Sequence, residues 1–520
     1  MSFTSRRVRE QKKPSALHRY VMLALPVIRS MMQMKEHFGH VKHEEEVTVK
    51  RERALKKTIA VLLSALLILL LIIGTLKVLV RLKEIALGMV SMAGTDLQKD
   101  EHGFTNVLLL GEGDNDHDGV DLTDTVMIAS LDPDKTESAV LFSIPRDTYI
   151  LNAGKMGKGR INSLYRDYKI SLERKGMKEP EASQAALAQL DEEVGTLLGM
   201  KIHGSIKVNF SGFTEAIDAI GGIDVVVPED LVDPEYPGPN YSYQTFSIGK
   251  GLQHLDGATA LKYARSRHST SDFSRSARQQ QIIAAAVQKV KDDGIIRNAG
   301  RITELLSIIA KNVESTLSTR ELMGLASMGK SIDHGKMVNI QLNDQNGLYG
   351  STIQPGGFLY SPPREEFDGA AVLLPVSVPE FPVTWKQIRS FSTLLMTHRE
   401  LFLHTPRIIV LNAGAKPGSA RLIGGELYRY LFNVQNTHNY AKGKNPSFPN
   451  SFIVIHAALL QDDTRSADQK AAQETAEFLS KTFGMKVTVD PDGQAFSQDD
   501  ADIAIVLGKD FEYTLLQDRL

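Results

Sequence analysis

An arginine-rich run carries the clearest chemical signal in this sequence. The run Tyr263 to Gln280 contains four arginines and neither Lys nor Glu, although a solvated basic helix end normally interleaves them. Guanidinium groups suit the binding of phosphate oxygens two at a time. On a helix, Arg275 and Gln279 are i,i+4 neighbours on one side, whereas Arg278 at i+3 is expected to drift off that face. The run therefore favours binding of an anionic ligand.

Two shorter segments place charges at the ends of predicted strands. Arg146 and Asp147 follow Ser143-Ile144-Pro145, which closes an apolar strand, and Asp124 lies in Leu122-Thr123-Asp124-Thr125, which opens another. Charged residues at strand ends of an α/β domain commonly line a site. Taken singly, each is also compatible with an ordinary loop charge.

The elements that must position these residues alternate between strand and helix patterns, which predicts a layered α/β domain. Hydrophobic patterning predicts strands over Thr105 to Gly111 and from Asp124, Ser138 and Ile223, and helices over Ala182 to Leu198, Ser211 to Ile220 and Ser274 to Val290. From Pro362 to Pro382 prolines cluster and mark a connector. A second α/β unit then begins near Pro406 and is expected to be separable from the first.

One segment is long and apolar enough to cross a membrane. Thr58 to Leu76 holds 19 uncharged residues, and snorkelling of Lys77 extends the span to Val80. Up to Lys57 there are 14 Lys and Arg against 6 Asp and Glu, so the positive-inside rule places the N-terminus in the cytoplasm. The remainder of the chain is then expected outside, on a single-pass membrane protein.

Several classes of function are disfavoured. The chain has no cysteine, which removes thiolate metal sites, a cysteine nucleophile and disulfides. The net charge of -2 argues against broad coating of nucleic acid, and no nucleic-acid partner is expected. Gly324 to Ser331 fits the phosphate-loop pattern, but it continues a helix-periodic run, so we interpret it as a helix and not as a nucleotide site.

Taken in order, these segments resemble the LytR-CpsA-Psr family. The resemblance runs from about Phe104 to Asn343 through VLLLG, TDT, SIPRDT, INSLY, VNFSGF and LDGATALKYARSRHSTSDFSRSARQQ. IIVLNAG and DIAIVLG near the chain end resemble the family's LytR-type C-terminal domain. The implied organisation is a cytoplasmic tail (1–57), a transmembrane helix (58–80), a linker (81–102), a catalytic domain (103–363), a connector (364–404) and a C-terminal domain (405–520).

The resemblance implies a fold and an activity. The fold is an α/β/α sandwich with an apolar groove for a lipid chain, followed by a smaller α/β domain. Family members move a glycopolymer, such as teichoic acid or capsular polysaccharide, from a polyprenyl-pyrophosphate carrier to peptidoglycan at the membrane surface. The bond formed is a phosphodiester, and Mg²⁺ assists. Fixed arginines and one Mg²⁺ suit this phosphoryl transfer because they neutralise charge on the phosphate oxygens.

Site residues can be carried over from the family's motifs. The residues that the resemblance implies for the pyrophosphate are Arg146, Arg265, Arg267, Arg275 and Gln279. Asp124 is implied near the metal, and either Asp124 or Asp147 is a candidate to orient or deprotonate the acceptor hydroxyl.

Two positions depart from the family pattern. Leu122 stands where the family has an arginine, and Gly113 stands where it has a metal-binding aspartate. Asp114 is the nearest substitute in sequence, with Asp116, Asp118 and Asp121 as alternatives. Loss of the arginine also supports a second class of function, a non-catalytic binder of lipid-linked glycans. A membrane-bound regulator of envelope assembly is the third possibility.

Overall fold

The computed structural model describes residues 97–520, except 115–119, 239–241, 267–271, 294–298, 344–347, 350–351, 354–356, 377–382, 441–446, 458, 460–465, 491–494 and 498. The predicted transmembrane segment lies outside this range. Among the residues that the structure does describe, no helix is long and apolar enough to cross a membrane.

The first part of the chain is built on strands that include one six-stranded sheet. The strands are β1 Thr105–Glu112, β2 Thr123–Asp132, β3 Ser138–Ile144, β4 Tyr149–Ile150, β5 Gly159–Arg160, β6 Gly204–Val208, β7 Ile223–Val227, β8 Leu231–Pro237, β9 Tyr243–Ile248, β10 Gly251–Leu255, β11 Val313–Ser315, β12 Met337–Gln341, β13 Leu348–Tyr349, β14 Thr352–Ile353, β15 Leu359–Tyr360 and β16 Leu374–Pro375. The large sheet has the order β11-β6-β1-β2-β3-β12. Within it β1–β6 and β3–β12 are parallel, and the other neighbours are antiparallel.

Helices cover both faces of this sheet. They are α1 Ile161–Arg174, α2 Glu181–Leu198, α3 Phe210–Ala219, α4 Gly257–Arg265, α5 Asp272–Asp292, α6 Ala299–Asn312, α7 Thr319–Ser331 and α8 Lys386–Thr397. Alternate residues of β2 belong to different clusters: Ile128 packs with residues of α1, α2 and α8, whereas Met127 packs with Ile283 of α5. This is the mixed α/β arrangement expected from the alternating patterns.

The segment that fits the phosphate-loop pattern is confirmed as a helix. It lies in α7, which begins after Ser318 with a capping box, in which Ser318 and Glu321 satisfy each other's backbone N–H groups. The residues that would cradle phosphate are therefore in a regular helix, and the pattern match has no structural counterpart here.

The C-terminal segment forms a second sheet, with the order β18-β17-β21-β19-β20. Its elements are β17 Ile408–Asn412, α9 Ser419–Arg429, β18 Val434–Asn439, β19 Phe452–Ile455, α10 Ser466–Phe483, β20 Lys486–Thr488 and β21 Ile503–Leu507. The strands of β17 and β21 are parallel, and β19 runs antiparallel to β21.

The two sheets share one hydrophobic core through α8, which lies inside the predicted connector. The ring of Phe391 in α8 contacts Phe142 of β3 at 6.0 Å and Phe358 at 4.6 Å between centroids. On its other side it meets Tyr430, just after α9, at 6.0 Å. This packing argues against the prediction that the second unit can be separated from the first. Removal of either unit would expose these aromatic rings to water.

Candidate functional site

The predicted charges at the ends of two strands meet at one edge of the large sheet. Strands β2 and β3 are antiparallel with Val126 opposite Ile144, so the start of β2 lies beside the end of β3. Arg146 Nη1 donates to Asp124 Oδ2 at 2.9 Å. Arg146 Nε lies 3.5 Å from Asp147 Oδ2. Residues from two separate motifs therefore form one contact group at this edge of the sheet.

The N-terminus of α1 adds two side chains that sequence reasoning missed. Arg160 Nη1 donates to Asp147 Oδ1 at 2.8 Å, and Asn162 Nδ2 donates to Asp124 Oδ1 at 3.0 Å. The segment is anchored by backbone bonds, because the N–H of Ile161 donates to the carbonyl of Thr148. The INSLY motif marked this position, but nothing local in it indicates a contact with Asp124. We call the residues Asp124, Arg146, Asp147, Arg160 and Asn162 the Asp124 cluster.

The Asp124 cluster is open to solvent on one side. The side chains of Asp124 and Arg160 are 42% and 39% exposed, whereas those of Arg146 and Asp147 are 22% and 20% exposed. Two guanidinium groups are thus held in place by carboxylates and remain partly accessible. Such an arrangement can bind a phosphate group with fixed donors, because the carboxylates already set the directions of the guanidinium planes.

Arg265 lies at the last position of α4, on an aromatic support. Its guanidinium carbon is 4.1 Å from the ring centre of Phe210 and 5.7 Å from that of Tyr236. Arg265 Nη1 also donates to Tyr236 Oη at 3.5 Å. Gly257 begins this helix beside α3, where an added Cβ would collide with the carbonyl oxygen of Thr214. The glycine of the LDGATALKYAR segment thus permits the close approach of the two helices.

The remaining arginines of the run differ in burial. Arg275 is buried and Gln279 is half-buried on α5, whereas Arg267 lies outside the described residues. Arg278 is also buried, and its Nε donates to the carbonyl of Tyr263 at 2.9 Å. Its Nη2 donates to the carbonyl of Ser266. Burial lowers the pKa of Arg278. This arginine therefore joins α4 to α5, a structural contact that its helical phase did not indicate.

The aspartates of the β1–β2 connection are engaged by other groups. Both carboxylate oxygens of Asp114 accept hydrogen bonds from Ser211, at 3.0 Å from its backbone N–H and at 2.9 Å from its hydroxyl. Asp121 pairs with Lys169 and Lys207, whereas Asp116 and Asp118 lie outside the described residues. In the part of the chain that the structure describes, no group of three His, Asp or Glu residues could hold a metal ion.

Comparisons with known proteins identify the family. The sequence profile of the LytR_cpsA_psr family matches residues 83–365, more than half of the chain. A second profile, described as LytR cell envelope-related transcriptional attenuator, matches residues 405–511. The chain belongs to the LytR-CpsA-Psr family, and the resemblance read from its motifs is confirmed.

Two named relatives match part of this sequence. It is 28% identical over 281 residues to the cell wall biosynthesis protein LcpA of Corynebacterium glutamicum, a match covering 50% of this chain and 52% of LcpA. It is 32% identical over 227 residues to the polyisoprenyl-teichoic acid–peptidoglycan teichoic acid transferase TagU of Oceanobacillus iheyensis, covering 43% of this chain and 62% of TagU. The chain thus spans less than two thirds of these relatives. The crystal structure of TagV from B. subtilis aligns with a TM-score of 0.40 and 24% identity, covering 56% of this chain and 97% of TagV.

Proposed function

We propose that this protein transfers a glycopolymer from a polyprenyl-pyrophosphate carrier to peptidoglycan. The observation that carries the proposal is the Asp124 cluster, in which Arg146 lies 2.9 Å from Asp124 and Arg160 lies 2.8 Å from Asp147. The relatives named as teichoic acid transferases support the class of donor and acceptor. The glycopolymer itself follows from neither observation.

The proposed reaction is a displacement at phosphorus. An acceptor hydroxyl oxygen attacks the phosphorus that bears the glycan, and the bond to the bridging oxygen breaks. The products are a glycan phosphodiester on the acceptor and polyprenyl monophosphate, which takes the electron pair of the broken bond. The proton of the hydroxyl passes to one of the two candidate carboxylates, Asp124 or Asp147. Arginines hold the non-bridging oxygens, whose charge must be neutralised during the transfer.

The two carboxylates of the cluster have different parts in this proposal. Asp147 contacts both Arg146 and Arg160, so it orients the guanidinium groups. Asp124 is more exposed and is the carboxylate that can meet a ligand. Oδ2 of Asp124 accepts from Arg146 and Oδ1 from Asn162, so Asp124 would hold Mg²⁺ through its remaining lone pairs. Mg²⁺ takes only one or two carboxylates when substrate phosphates and water complete its shell. Bound there, Mg²⁺ would supply further neutralisation of phosphate charge. Asp114, held by Ser211, stays a sequence prediction as a metal ligand.

We also propose that the protein is anchored by Thr58 to Val80 with its C-terminal part outside the cytoplasm. A donor with a lipid tail stays in the bilayer, so an anchored enzyme meets it at the membrane surface. Protease added to intact cells stripped of outer layers should digest the exported part. Protection of the entire chain would contradict this topology.

Turnover is the decisive test of the transferase proposal. The full-length protein in detergent micelles is mixed with a synthetic polyprenyl-pyrophosphate disaccharide, a peptidoglycan oligosaccharide and Mg²⁺. Mass spectrometry should detect polyprenyl monophosphate together with the phosphodiester product. Tight binding of the donor without any product would instead favour the alternative function, a binder of lipid-linked glycans.

A further inference from the structure

A buried lysine lies beneath the edge of the sheet that carries the Asp124 cluster. Lys207 of β6 is 1% exposed, and three carboxylates surround its Nζ atom. Glu112 Oε1 lies 2.9 Å from it, Glu314 Oε1 3.1 Å and Asp121 Oδ1 3.6 Å. A buried ammonium is costly unless it is paired and hydrogen-bonded, and this one is. With Lys169, we call these residues the Lys207 cluster.

The carboxylates of the Lys207 cluster come from separate segments of the chain. Glu112 is the last residue of β1, and Glu314 of β11 is directly opposite Lys207 across the sheet. Asp121 lies just before β2 with a φ of 63°, in the left-handed region that non-glycine residues rarely adopt. One ammonium therefore ties the end of β1 to the entry of β2. Burial alone lowers the pKa of Lys207, but the neighbouring carboxylates, Glu112 first, outweigh burial and raise it, so the charge is retained.

Helix α1 connects the Lys207 cluster to the Asp124 cluster. Lys169 Nζ donates to Asp121 Oδ2 at 3.0 Å, and Asn162, two turns earlier on the same helix, donates to Asp124. Between them Tyr165 lies under the ammonium, with Lys207 Nζ 4.5 Å from its ring centre. The backbone from Asp121 to Asp124 is thus held at its start by two lysines and at its end by an asparagine.

We propose that Lys207 is a positioning residue for Asp124, which it does not touch. By pairing with Asp121, it fixes the entry of β2, and so it sets where the Asp124 carboxylate meets Arg146 and the substrate. This inference rests on the proposed transferase function. Removal of a residue that contacts and orients a metal-binding group typically lowers affinity or activity about 10- to 100-fold.

The test uses two variants of the cluster and one matched control in the full-length protein. Lys207→Met removes the ammonium. Glu112→Gln is milder, because it keeps the shape of the Glu112 side chain and removes only its negative charge. The control is Arg399→Met, because Arg399 follows α8 and is also a buried cation that contacts this sheet. Arg399 donates to Ser130 of β2, six residues from Asp124 and therefore about 20 Å away along the strand. Loss of stability alone should affect the control as much as Lys207→Met.

Two readouts separate positioning from stability. Turnover of the synthetic polyprenyl-pyrophosphate disaccharide should fall about 10- to 100-fold in Lys207→Met and less in Glu112→Gln, with little change in Arg399→Met. Hydrogen–deuterium exchange at Thr123 and Asp124, measured without substrate, should accelerate in the two cluster variants only.

Each outcome decides a separate question. Wild-type turnover and wild-type exchange in a folded Lys207→Met protein would overturn the positioning role, and if that variant does not fold, the same result in Glu112→Gln would do so. An equal loss of turnover in Arg399→Met would show that Lys207→Met acts through lower overall stability and would overturn the positioning role. Absence of turnover in the wild type would reject the transferase proposal, while faster exchange in the cluster variants alone would still support the structural link to Asp124.

Discussion

The Asp124 cluster and the Lys207 cluster lie at one edge of the sheet and use the same kinds of charged groups, yet they differ in exposure. In the Lys207 cluster the cation is 1% exposed and is surrounded by carboxylates of its own chain. In the Asp124 cluster, Asp124 and Arg160 remain about 40% exposed. The first arrangement satisfies its charges internally, whereas the second presents preoriented charges to solvent. Exposure of the cation, 1% for Lys207 and 39% for Arg160, separates the structural ion network from the proposed binding site, because Glu314 at 43% is as exposed as Asp124 at 42%.

The largest effect is expected from Arg146→Ala, which removes the central cation of the Asp124 cluster. Turnover should fall about 100- to 1000-fold, as when one fixed donor to a transition-state oxygen is lost. The free energy of unfolding should change by only about 1 kcal/mol, because partly exposed ion pairs contribute little to stability. Arg146→Lys should not restore full activity, since an ammonium cannot contact Asp124 and Asp147 through separate nitrogens as this guanidinium does. Turnover near the wild-type value in Arg146→Ala would place the chemistry elsewhere.

Arg265→Ala should have the next largest effect. Loss of a charge-assisted contact worth about 1.5–3 kcal/mol corresponds to roughly 10- to 150-fold slower transfer. Arg267→Ala, tested beside it, is expected to behave similarly. Arg166→Ala is the matched control, because this guanidinium pairs only locally, with the adjacent Asp167, in the contacts that the structure describes. The measurement is Mg²⁺-dependent turnover. An unchanged rate in both Arg265→Ala and Arg267→Ala would show that the arginine-rich run does not take part in the transfer.

A smaller effect, on stability only, is expected at Asp191, a buried carboxyl for which the described residues provide no ion-pair partner. Asp191 accepts hydrogen bonds from the hydroxyls of Thr316 and Ser205, and burial raises its pKa to about 7. The unfolded chain loses this proton near pH 4. The folded state therefore binds more protons between these values, and the free energy of unfolding falls as pH rises from about 4 to 7.

Asp191→Asn should remove this pH dependence. Relative to the wild type, the variant should gain about 2 kcal/mol of stability between pH 5 and pH 7, at about 1.4 kcal/mol per pH unit over somewhat less than two units. Urea unfolding of both proteins at the two pH values provides the measurement. A parallel pH dependence in the two proteins would show that burial does not keep Asp191 protonated in the fold.

Local patterns predicted much of the fold. The hydrophobic runs that start β1, β2 and β3 and the helical periodicity of α2 and α5 each follow from a few consecutive residues, and the structure has them within a few positions. Antiparallel pairing of β2 and β3 then brings Asp124 to Arg146. Because β2 starts where β3 ends, charged residues at these two strand ends lie close together.

Features that depend on distant pairing were not predictable in the same way. Lys207 appears in an ordinary short strand, and its burial depends on Glu112, Asp121 and Glu314, which come from three other parts of the chain. The contribution of Arg160 and Asn162 at the start of α1 was missed because their partners, Asp147 and Asp124, lie on other segments of the chain. The helical phase of Arg278 predicted that it leaves the face shared by Arg275 and Gln279. It did not predict that α4 packs against Arg278 there.

The aromatic contacts of α8 limit how this chain can be divided or recombined. Because Phe391 is enclosed by Phe358 before the predicted connector and by Tyr430 after it, a fusion junction between these residues leaves half of an aromatic cluster without its partners. A swap of C-terminal domains between relatives would need to carry matching residues for both sides of α8. The second sheet is therefore joined to the first through a shared core as well as through the chain, so a partner that docks on it acts on a surface packed against the fold that carries Arg146.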